Sequence, residues 1–160
     1  MRLLKHLFTP DWAAHRAFPR RVLKTIKQAI HDSEQLHRGE LRFAVQAGLP
    51  IFHLKQSPRA HAEETFSLLR VWDTEENTGV LIYVQLVDRR IEIVADRGIS
   101  GKVPQSEWDA ICRAMQTEFR AGRYEEGALA GIRRITDLLS LHFPARRDNS
   151  NELPDQPVIL

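Results

Sequence analysis

Three stretches of the chain have the hydrophobic pattern of β-strands. Leu41, Phe43 and Val45 alternate with polar or small residues, which predicts a half-buried strand near 41–47. Residues 79–86 are apolar at almost every position, as in a central strand covered by helices on both faces. The turn at Asp88-Arg89 is too short for a crossover, so the strand predicted at 90–96 must return antiparallel.

Helical periodicity fills the intervals between these strands, and the strand–helix–strand order across 41–86 predicts a parallel pair. The pattern therefore predicts an α/β fold, a three-layer α/β/α sandwich with a mixed sheet of three or four strands. We divide the chain into a helical lead-in over 1–19, a domain over 20–144 and a tail over 145–160. The tail is polar, Pro-rich and without periodicity, which predicts disorder.

Composition narrows the class of protein. The net charge is only +2 on 23 basic and 21 acidic residues, and the arginine pairs are scattered, so we expect no nucleic-acid partner. Cys112 is the only cysteine, which excludes an intramolecular disulfide. No run approaches the roughly 18 apolar residues of a membrane span, and no signal-peptide pattern opens the chain. These features predict a cytoplasmic protein that does not itself span a membrane.

Candidate chemistry is concentrated in one acidic turn, since motifs such as G-x-S-x-G, the phosphate loop and H-E-x-x-H do not occur. Asp73 and Asn77 offer the oxygen ligands that Ca²⁺ or Mg²⁺ prefer. The predicted hairpin brings Asp96 towards them, so these three residues are the candidate metal ligands. The alternative is that they only shape the turn. His53 and His61 flank another turn, where solvent exposure is a simpler interpretation than a metal site.

The block around the hairpin resembles the TPM domain family. The similarity lies in T-E-x-N-x-G-V-L-I-Y over 74–83, in Asp88-Arg89 and in I-E-I-V-A-D-R-G-I over 91–99, and it extends across about 20–144. The resemblance implies an α/β/α sandwich whose acidic loops hold a divalent cation, here at Asp73, Asn77 and Asp96. Many members carry aromatic-Gly-x-Glu-Gly after the second hairpin strand, whereas Ser100 stands here in place of the acid.

Three functional hypotheses follow from the residues and the resemblance. The leading one is an interaction or divalent-cation-binding module without catalysis, with weakly bound Ca²⁺ or Mg²⁺. Such a module would serve a membrane-associated assembly through an unidentified protein partner. The first alternative is a weak metal-dependent acid phosphatase, an activity that the family resemblance implies for some members. The second is an orphan domain with no ligand.

Overall fold

The computed structural model describes residues 9–10, 12–49 and 53–160. Within these ranges the helices are α1 (Trp12–Ala17), α2 (Arg20–Glu34), α3 (Pro58–Leu68), α4 (Arg97–Ser100), α5 (Gln105–Arg120) and α6 (Tyr124–His142). The strands are β1 (Glu40–Gln46), β2 (Gly79–Gln85), β3 (Arg90–Ala95) and β4 (Val158–Ile159). None of the helices in the described part of the chain is long and apolar enough to cross a bilayer.

The strands form one mixed sheet in the order β3-β2-β1-β4. β1 and β2 are parallel, with Glu40 opposite Gly79, and β3 returns antiparallel to β2. The predicted parallel pair and the predicted hairpin are therefore both confirmed. Because β1 and β2 are paired along their whole length, their carboxyl ends lie together at one end of the sheet.

Helices cover both faces of the sheet. Phe43 and Ile82 belong to the larger core, which also contains side chains of α2, α5 and α6. The intervening residues Leu81 and Tyr83 point the other way, as strand alternation requires, and pack in a second core with Ala62 of α3. This arrangement confirms the α/β/α sandwich.

The C-terminal segment, residues 145–160, packs against the second face. Val158 and Ile159 of β4 pair in parallel with Ala44 and Val45, and Leu153 is only 7% exposed. The prediction of a disordered tail is therefore wrong. Leu153, Asp155 and Pro157 are buried while the residues between them are exposed. Only Leu153 of these three is a large apolar side chain, so the hydrophobic pattern of the sequence does not show the alternation.

Buried polar groups hold this segment in place. The Oε2 atom of Glu40 accepts a hydrogen bond from the Leu153 N–H at 3.0 Å, and Arg42 donates to the carbonyl of Gln156 at 3.2 Å. The neighbouring Glu34 accepts the Leu41 N–H through Oε1 at 2.8 Å. Burial, reinforced by nearby carboxylates, raises the pKa of Glu34 to about 9 and that of Glu40 to about 7. Glu34 therefore keeps its proton at neutral pH in the folded protein.

Candidate metal-binding sites

Two hydrogen bonds join the acidic turn to the start of α4, which follows β3. The donors are the consecutive residues Arg97 and Gly98. Asn77 has a left-handed backbone, with φ of 54°, which asparagine tolerates better than most residues. Its side-chain Oδ1 accepts from Arg97 Nε at 3.1 Å, and its carbonyl accepts the Gly98 N–H at 2.9 Å. A Cβ at Gly98 would lie 2.4 Å from the Glu76 carbonyl oxygen, so this close approach requires glycine.

Asp96 lies beside this contact at the start of α4. Its Oδ1 atom accepts the Arg97 N–H at 2.7 Å and so caps the helix. Its Oδ2 atom is buried, with no hydrogen-bond partner among the residues that the structure describes. Burying a carboxylate oxygen without a partner is costly, and in proteins such an atom is often satisfied by a bound ion or water.

The structure brings Asn77 into contact with Arg97 and Gly98, next to Asp96, and gives Asp73 a different contact. Asp73 Oδ2 lies 2.7 Å from Arg70 Nη2 in an exposed ion pair. Glu76, the other acid beside Asn77, is paired with Arg38 at 2.9 Å and with Arg146 at 3.1 Å. A cation shared by Asp73, Asn77 and Asp96 remains a prediction. To bind it, the Asp73 carboxylate would have to leave its ion pair with Arg70.

A second cluster lies at the opposite end of the sheet, where β1 ends and α3 begins. His61 is on the first turn of α3, Glu64 follows three residues later on the same helical face, and His53 lies in the connection from β1. One ligand atom from each of these three side chains lies within 4.8 Å of the others. Within 9–10, 12–49 and 53–160, no other group of three His, Cys, Asp or Glu residues is placed to share a metal ion.

Of this histidine cluster, His53 and His61 were noted in the sequence but interpreted as solvent-exposed, and Glu64 was missed. Solvent exposure is the wrong interpretation for His61, which is only 4% exposed, while His53 is half-buried. The signal in the sequence that could have completed the cluster was the His-x-x-Glu spacing on a predicted helix, which places both side chains on one face. Tyr83 belongs to the same neighbourhood, since burial and then the charges of Glu64 and Asp88 raise its pKa.

The fold and these clusters define an α/β/α domain with potential metal ligands at both ends of a mixed sheet. The chain belongs to the TPM domain family, whose model matches residues 16–138. No curated protein matches the chain.

Two solved structures are similar over most of the chain. Protein BA42 from the psychrophilic bacterium Bizionia argentinensis is 29% identical with a TM-score of 0.78, and the match covers 88% of this chain and 93% of BA42. The N-terminal domain of a P. gingivalis protein is 16% identical with a TM-score of 0.64, covering 87% of this chain and 94% of that domain. The second likeness shows the fold alone.

Proposed function

We propose that this TPM domain is a non-catalytic module that binds Ca²⁺ or Mg²⁺ at the acidic turn and presents that end of the sheet to a protein partner. The observation that carries the proposal is the buried Oδ2 atom of Asp96, which has no hydrogen-bond partner among the described residues. A hard divalent cation would supply the missing interaction, because carboxylate oxygens are its preferred ligands.

The neighbouring oxygens support the same cation. Asn77 contributes a side-chain carbonyl oxygen and a backbone carbonyl, both directed at residues 97 and 98 rather than buried in the core. Arg97 now donates to the Asn77 side chain, and its exposed guanidinium can move aside into solvent. With few carboxylates, binding is expected to be weak, with a Kd of about 10⁻⁴–10⁻³ M.

The test is a Ca²⁺ titration of the full chain followed by ¹H–¹⁵N NMR. In the parent, the amide signals of Asn77 and Gly98 should move together and saturate. Asp96→Asn should weaken binding by more than about tenfold, because it removes the ligand charge while asparagine still caps the helix. Asp73→Ala shows separately whether the third predicted ligand contributes.

Asp109→Asn is the matched control, since Asp109 is an exposed carboxylate on α5 that accepts a hydrogen bond from Gln105. It should bind Ca²⁺ like the parent. Equal affinity in Asp96→Asn and Asp109→Asn would show that Asp96 is not a ligand. A parent in which the signals of Asn77 and Gly98 do not move would show that the acidic turn does not bind the cation. Either result would make the proposed function wrong.

A further inference from the structure

We propose a second metal site, for Zn²⁺ or a similar transition metal, formed by His53, His61 and Glu64. Two imidazole nitrogens and one carboxylate oxygen make up a ligand set that zinc uses where a fourth position stays open to water or another ligand. Ca²⁺ and Mg²⁺ prefer ligands that are all oxygen, so this site and the acidic turn differ in the metal they take.

The distances are close to those of a formed site. In tetrahedral coordination with metal–ligand bonds of about 2.1 Å, neighbouring ligand atoms lie about 3.4 Å apart. His53 Nδ1 and Glu64 Oε2 are 3.7 Å apart, and all three ligand atoms lie within 4.8 Å of one another. The side chains of His53 and Glu64 are 29% and 48% exposed, so they can turn towards the metal while buried His61 stays in place.

The ring of His61 is held by a backbone carbonyl. Its Nε2 atom forms a 2.9 Å hydrogen bond with the carbonyl oxygen of His53. Metal-binding histidines usually donate their second ring N–H to such an acceptor, which fixes the tautomer and the ring orientation. When Nε2 carries the proton, the Nδ1 atom of His61 has the lone pair that a metal requires.

The position in the fold also favours a ligand site. The cluster lies beyond the carboxyl ends of the parallel strands β1 and β2, at the first turns of the helix that connects them. Open α/β sheets commonly bind ligands at this end of their parallel strands. The partly exposed side chains of His53 and Glu64 leave the site accessible to a metal from solvent. The alternative is an ordinary ion pair between these two residues.

Calorimetric titration of the tag-free full chain with Zn²⁺ distinguishes a metal site from an ordinary ion pair. Co²⁺ serves as a spectroscopic probe of the same site. The parent should bind Zn²⁺ and give the visible absorption of tetrahedral Co²⁺. His53→Ala and Glu64→Gln should each weaken Zn²⁺ binding by at least about tenfold and abolish that absorption. Both replaced side chains are partly exposed, so these variants should fold, which circular dichroism checks.

Two matched controls accompany these variants. His15→Ala removes an exposed histidine, and Glu63→Gln removes the adjacent carboxylate, which instead pairs with Arg59 at 2.9 Å. Both should bind Zn²⁺ like the parent. A parent that does not bind Zn²⁺, or an affinity in His53→Ala and Glu64→Gln equal to the controls, would overturn the proposal and leave only the ion pair.

The proposed zinc site and the proposed calcium site can be refuted independently of each other. His53→Ala should leave the Ca²⁺-dependent shifts of Gly98 unchanged, and Asp96→Asn should leave Zn²⁺ binding unchanged. Loss of both metals in either variant would contradict two separate sites and so overturn the second one. The measurements use binding and spectroscopy alone, so they do not depend on any enzymatic activity.

Discussion

Docking of the C-terminal segment can be tested with a single substitution, Leu153→Ala. Leu153 is 7% exposed and packs in the second core with residues of β1, β2, β3 and α3. Its backbone N–H is held by the buried Glu40, so the main chain should stay in place when the side chain is shortened. The substitution therefore reports mainly the loss of side-chain packing.

The expected loss of stability is about 2–3 kcal/mol, towards the lower end of the range for a buried Leu→Ala change. The lower end of the range applies because the segment pairs with β1 at the edge of the sheet. There its chain can relax into the space left by the missing side chain. For a domain of this size the loss corresponds to a fall in Tm of about 5–10 °C.

Urea unfolding followed by circular dichroism measures this difference directly. The matched control is Leu141→Ala, because Leu141 is 74% exposed on α6 and should change stability by less than about 0.5 kcal/mol. If Leu153→Ala is no more destabilising than Leu141→Ala, the segment does not dock in solution and the packing argument is refuted.

Two further predictions concern the buried carboxyl and the close helix contact. Glu34 has its pKa raised in the folded state, so its contribution to stability is complete below pH 4.5 and is lost as pH rises towards 9. Between pH 6.5 and 9 the free energy of unfolding of Glu34→Gln should therefore fall less steeply than that of the parent, by a few kcal/mol in total. Burial lowers the pKa of His37 to about 4, so the titration of His37 changes stability only below pH 6.5. If the free energy of unfolding falls equally steeply with pH in Glu34→Gln and the parent, the prediction is wrong. Gly127→Ala should destabilise by about 1–2 kcal/mol in thermal unfolding, because its Cβ would lie 2.8 Å from the Phe119 ring. A gain in stability, as helix propensity alone would give, would show that α5 and α6 can move apart.

The main elements of the fold could be predicted from the sequence because each carries its own periodic signal. Alternation at Leu41, Phe43 and Val45 predicted a half-buried strand at 41–47. The structure has the strand at Glu40–Gln46 but buries both of its faces, so the strand was predicted correctly and its exposure was not. The continuous apolar run and the short turn predicted the central strand and its antiparallel neighbour, which lie at Gly79–Gln85 and Arg90–Ala95. Such patterns depend only on which face of a segment is buried, so they can be seen without knowing the partner.

The candidate sites could be predicted only in part. The short hairpin predicted that the end of β3 comes near Asn77, since paired strands bring the end of one next to the start of the other. In the structure Asn77 contacts Arg97 and Gly98, the two residues after Asp96. The sequence did not show that Asp73 pairs with Arg70. It also did not show that Asp96 has a buried oxygen without a partner among the described residues. Both depend on the path of the turn and on side-chain directions.

Tertiary structure alone decided the histidine cluster and the C-terminal segment. His61 and Glu64 share a helical face, but only the fold buries His61 and returns His53 to the same place. Leu153 and Glu40 are 113 residues apart in the sequence, and the segment that contains Leu153 is held by hydrogen bonds to buried side chains and by strand pairing with β1. The sequence determined which elements form, because that depends on local periodicity. Which distant groups meet between them depends on packing, which leaves no regular pattern along the chain.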